Sequence, residues 1–100
     1  MHTTRKVPPV DPTTLINERV DVVPIFYAQA PERTVCVPWK MKYHGREIEF
    51  TIFGLRHPTV KGKRMIHVFE VSDGANDYRL EFDAERLTWT LVSMIAGQYG

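Results

Sequence analysis

Between Val20 and Ile95 several runs carry apolar residues on every second position, and no stretch of ten or more carries them at the three-and-four spacing of an amphipathic helix. A period of two belongs to strands with one face covered and one face wet. Val35, Val37, Trp39, Met41 and Tyr43 share one phase, against Cys36, Pro38, Lys40 and Lys42 in the other. "REIEFTIF" sets Ile48, Phe50 and Ile52 against Glu47, Glu49 and Thr51, and "DYRLEF" sets Tyr78, Leu80 and Phe82 against Arg79, Glu81 and Asp83. In "LTWTLVSMI", Leu87, Trp89, Leu91 and Ile95 oppose Thr88, Thr90 and Val92.

Two further runs complete the set. "VDVVPIFY", Val20 to Tyr27, is rich in β-branched and aromatic residues, and Pro24 marks it as an edge strand. "RMIHVFEV" is apolar in both phases, with Met65, His67, Phe69 and Val71 in one and Ile66 and Val68 in the other, as expected of a central strand covered on both sides. The connections are short. His44-Gly45 suits a two-residue hairpin, "AQAPER", "SDGAN" and "DAER" read as turns, and "GLRHPTVKGKR", Gly54 to Arg64, reads as a basic loop. None has the dozen residues a parallel crossover needs. The expected fold is all-β, an antiparallel meander of five to six strands, strongly coiled or small and barrel-like.

Residues 1–18 read as a proline-rich, partly disordered arm, residues 19–96 as a single β-meander domain, and residues 97–100 as a frayed tail. Within "DPTTLINER", Asp11 or Thr13 could cap one short helical turn with Pro12 at its first position. Thirteen basic and twelve acidic residues leave a net charge of +1, too small for a whole-molecule field, so any electrostatic function must come from a local patch. The single cysteine, Cys36, excludes an internal disulfide, and no cysteine or histidine pairs fall at zinc-finger spacing. No apolar run approaches a membrane span and no leader follows Met1. The expectation is a cytoplasmic chain with no membrane association and no cofactor.

A sheet with one apolar face needs a cover, and there is no amphipathic helix to supply it. Either the sheet coils on itself, or a second copy packs on it, or the face is a ligand or partner site. The series "YHGRE", "HVFEVSDG", "DYRLEFD" and "WTL", over residues 39–95, resembles a loose group of small uncharacterised bacterial β-meander proteins. The resemblance implies a meander and carries no activity for any residue.

Arg56, His57, Lys61, Lys63 and Arg64 are the candidate contacts for an anion or nucleic acid: residues 56–64 hold four full positive charges, and Gly62 allows close backbone approach. Against them, lysine at a sheet margin also deters edge-to-edge aggregation, and the loop lacks the aromatics on which bases stack. Residues 70–85 carry six acids, Glu70, Asp73, Asp77, Glu81, Asp83 and Glu85, with Arg79 alone opposing them, so the two charged segments can pair within the fold or between copies. "DGANDYRLEFD" lacks the calcium-loop rhythm, and Asp73, Gly74 and Asn76 are ordinary turn formers. Cys36 and His67 have no third orienting residue, so no catalytic or metal-ligating constellation emerges. The chain reads as a non-catalytic protein-interaction module, self-associating or binding a foreign protein. The alternatives are nucleic-acid binding through residues 56–64 and a small apolar ligand inside a barrel.

Overall fold

A computed structural model describes residues 13–29 and 36–97. Seven antiparallel strands form one sheet: β1 (Thr13–Ile25), β2 (Val37–Tyr43), β3 (Arg46–Glu49), β4 (Ile52–Lys61), β5 (Arg64–Ser72), β6 (Asn76–Asp83) and β7 (Thr88–Ala96), in the order β3-β2-β1-β7-β6-β5-β4. The described residues contain no helix. Residues 13–18, expected in the arm and in part as a helical turn, are strand, because Thr13 to Val20 pair with β7. The rest of the arm, residues 1–12, lies outside the described residues, as do the turn at Pro31 and the tail beyond Gly97.

β1 joins two ladders. Its first half pairs with β7, and from Asp21 onward its partner is β2. β1 is therefore interior in the strand order, but from Asp21 onward it is paired on one side only, so Pro24 does lie on a locally open margin of the sheet. Pro24 sits at a register shift opposite Pro38, past the last β7 partner, where a missing amide hydrogen costs no ladder bond. A second shift near Asn17 (φ 54) bends the strand's first half.

The outermost strands, β3 and β4, are joined by two residues only, Phe50 and Thr51. The Phe50 amide donates to the Trp39 carbonyl on β2 (2.8 Å), and the next amide, Thr51, donates to the Ser72 carbonyl on β5 (2.9 Å). In one step the chain leaves one edge and enters the other, so the sheet must coil until its two ends meet, although β3 and β4 share no ladder and the barrel is not closed.

The strand count of seven exceeds the expected five to six because this bend divides "REIEFTIF". Gly54 to Arg64 is also not a loop: β4 runs to Lys61, and only Gly62 (φ 64) and Lys63 turn. Pro58 hid this strand. It pairs with His67, three steps from the turn-closing Lys61–Arg64 pair, and because bonded and non-bonded pairs alternate along the ladder its hydrogen-free nitrogen faces the open edge, where proline is tolerated.

Coiling supplies the missing cover. Cys36, Met41 and Phe50 pack in one cluster with Phe69, Val71, Tyr78, Leu80, Phe82, Trp89 and Leu91, flanked by Val22, Tyr43 and Ile48. Phe82 stacks on Trp89 (centroids 4.6 Å), and Phe50 meets Tyr78 edge-on at 5.6 Å; such pairs add about 0.5–1.5 kcal/mol beyond area burial.

Several apolar residues depart from the alternation. Lys40 pairs with Val23 and Pro38 with Pro24, leaving Trp39 between them as an extra residue. The phase inverts there: Cys36 and Pro38 are buried ahead of the bulge and Met41 after it, while Trp39 is 38% exposed beneath the Lys40 ammonium, 4.2 Å from its ring. A similar shift beside Leu91 turns Met94 toward the core and Ile95 outward. Leu87 occupies the β6–β7 turn with φ 56 and is exposed.

Candidate interaction surface

The five basic candidates lie on the β4–β5 hairpin, but they do not form one patch. Arg56 is opposite Phe69 and so lies on the core side of β4, His57 is opposite Val68 on the outer side, and Lys63 is in the turn. Lys61 Nζ donates to Glu81 Oε1 at 2.8 Å, and Arg64 Nη1 donates to Asp83 Oδ2 at 2.9 Å. The basic and acidic segments thus meet within one fold. Asp83 also accepts the Glu85 and Arg86 amides on Oδ1. Burial pulls its pKa up, but those amides and the Arg64 charge outweigh burial and hold it below 3.8. The Lys61–Glu81 bridge spans from β4 to β6 across β5.

The opposite end of the same outer face opens into a groove. Two register rows cross the sheet there. One runs Ile52, Ser72, Asp77, Ile95, Thr13, and the next Leu55, Glu70, Arg79, Ser93, Leu15. Ile52 is 51% exposed, Leu55 70%, Ile95 37% and Leu15 74%. Ile52, Leu55 and Ile95 rim a groove of about 520 Å³ whose floor includes Glu70, Arg79 and Ser93. The Glu70–Arg79 pair is loose, 3.9 Å apart with both side chains 43% exposed.

Leu55 projects because Gly54 and Leu55 together oppose Glu70 alone. A Cβ on Gly54 would lie 3.1 Å from the Glu70 carbonyl oxygen, so glycine lets the two backbones close at the bulge. Alternation signalled an apolar face; which residues would occupy its open part depended on two bulges, and bulges leave little trace in composition.

The free edge of β4 is guarded. Pro58 withholds a donor, the bulge at Gly54 and Leu55 bends the strand, and Arg56, Lys61 and Lys63 line its distal half. Strand addition is therefore disfavoured, and the accessible apolar surface is the face, not the edge.

Other chemistry finds no support. Cys36 is buried in the core cluster, and burial pushes its thiol up to about 11, away from the nucleophilic thiolate. In the native protein, at any pH below the thiol's ordinary 9.0, aromatic disulfide reagents should leave Cys36 unmodified until denaturant is added; rapid labelling of the folded state would contradict its burial. His67 lies instead near Phe82, ring centroids 6.4 Å apart. Both Asp73 oxygens already accept hydrogen bonds, from Ala75, Asn76 and Tyr78. Among the described residues no three histidine, cysteine or acidic side chains could hold a metal ion, and no helix is long and apolar enough to cross a membrane. No protein-family model, curated protein or solved structure matches this chain.

Proposed function

We propose that this chain is a non-catalytic protein-interaction module that works through the outer face around Ile52, Leu55 and Ile95. The observation that carries this reading is the concentration of Leu15, Ile52, Leu55 and Ile95 on two adjacent register rows around an open groove, beside a β4 edge that is guarded. Apolar surface gathered in this way is a cost in water unless a partner covers it. The nucleic-acid alternative draws less support, because Lys61 and Arg64 are engaged by Glu81 and Asp83 and Arg56 points to the other side of β4. A ligand inside the sheet's coil draws less still, since the packed rings of Phe69, Phe82 and Trp89 occupy that interior.

A photo-crosslinking amino acid at position 55, in the full chain in its native cell, tests the reading, with the equally exposed turn position Leu87 as control. Protein adducts at position 55 well above the control are expected, whether to the chain itself or to another protein. Adducts to nucleic acid instead, or adducts no more abundant than at Leu87, would overturn it.

A further inference from the structure

One of the two rows on this face is palindromic across the sheet. From β4 to β7 the first row reads Ile52, Ser72, Asp77, Ile95, with apolar side chains on β4 and β7 flanking a polar pair, and the second reads Leu55, Glu70, Arg79, Ser93, with an opposite-charge pair at its centre. A two-fold axis parallel to the strands, passing through the gap between β5 and β6 in the plane of contact, exchanges β4 with β7 and β5 with β6 while keeping each row level. It brings Ile52 of one copy over the second copy's Ile95, and Glu70 over the second copy's Arg79. Sheets packed face to face lie about 10 Å apart, within reach of such side chains.

We infer that the occupant of this face is a second copy of the chain, packed outer face to outer face, with Glu70 and Arg79 pairing across the interface. The inference rests on the proposed interaction role of the face. Its particular support is charge complementarity. The Lys61–Glu81 and Arg64–Asp83 pairs are closed, at 2.8 and 2.9 Å, whereas Glu70 and Arg79, though directly opposite each other on β5 and β6, stand 3.9 Å apart and half-exposed in the groove. A carboxylate and a guanidinium related in this way are self-complementary about a two-fold, and residue pairs that meet reciprocally are what such an interface requires. The guarded β4 edge turns association toward the face and away from an open-ended sheet.

Sedimentation velocity over a concentration series tests this with Glu70→Arg and Arg79→Glu, both at half-exposed positions and checked for folding by circular dichroism. Wild type is expected to dimerise. Each variant alone sets like charges against each other at both symmetry-related contacts and should sediment as a monomer. Mixed in equal amounts they restore opposite charges at both contacts, and a heterodimer should form. A role confined to the intrachain pair predicts no rescue in the mixture. A monomeric wild type throughout the series, dimers that persist in both single variants, or a mixture that stays monomeric would each overturn the inference. Should the wild type be monomeric while position 55 still crosslinks to a foreign protein, the second copy is the wrong occupant and the interaction reading stands.

Discussion

Replacing Phe50 with alanine should lower the unfolding free energy by about 3–5 kcal/mol, the usual cost of deleting a buried phenylalanine, out of a total of about 5–15 kcal/mol for a domain. Phe50 is one of only two residues between the outermost strands; its ring lies in the core against Tyr78, and its amide and that of Thr51 bond to different ladders. The ring therefore holds the corner at which the coiled sheet brings its ends together. Without it the β2–β3 cover loses its anchor to β5 and β6 as well as its apolar contact. Urea denaturation should show a lower midpoint at nearly constant slope. Phe53, three residues along and 44% exposed, is the control, and Phe53→Ala should cost about 1 kcal/mol or less. Equal losses for the two variants would mean that Phe50 does not hold the corner.

Neither residue's part could be read from the chain alone, because Ile48, Phe50 and Ile52 share one phase and look equivalent. Phe50 is buried and Ile52 half-exposed because the backbone changes ladder between them, and a change of ladder alters which face is covered without altering the alternation. The same limit explains Trp39 and Cys36, whose burial is inverted by a bulge inside an otherwise regular run. What alternation does carry is the class of fold and the inward set Met41, Phe69, Val71, Tyr78, Leu80, Phe82, Trp89 and Leu91, which lie on strands free of breaks at those positions or are separated by them cleanly. The His44-Gly45 turn was legible as well: both residues have positive φ, 50° and 76°, and Tyr43 pairs with Arg46 across it. Of the candidate surface, the five cations were legible as residues but their partners were not, since Lys61–Glu81 and Arg64–Asp83 cross strands about twenty residues apart in sequence. The groove's apolar rim was legible only as a general need for cover.

The turn between β5 and β6 should make the stability of the molecule respond to acid. Asp73 Oδ1 accepts the Ala75 and Asn76 amides, both at 2.7 Å, and Oδ2 accepts the Tyr78 hydroxyl at 2.9 Å, so one carboxylate ties the turn to a core side chain. Burial raises the Asp73 pKa, yet the hydrogen bonds outweigh it and leave the group below 3.8. A carboxyl held below its unfolded value stabilises the fold fully above 3.8, and that contribution is lost as pH falls through the lower folded value. Tyr78 has the opposite sense. Burial first, and the bond to Asp73 after it, raise its hydroxyl above 10.0 against the opposing pull of Asn76, so its share is present below 10.0 and lost as pH rises beyond. Asp73→Ala removes three acceptor contacts and strands the Tyr78 hydroxyl, and it should cost about 2–3 kcal/mol at neutral pH. The deficit should begin to shrink as pH falls below 3.8 and continue to shrink through the lower folded value, where the native wild-type carboxyl is itself protonated, while the share of Asp83 persists in both proteins and cancels in the comparison. Denaturant midpoints for wild type and variant, measured from neutral pH down into the acid limb, check this directly: a gap that stays constant would show that the turn is held by packing and not by the charge on Asp73.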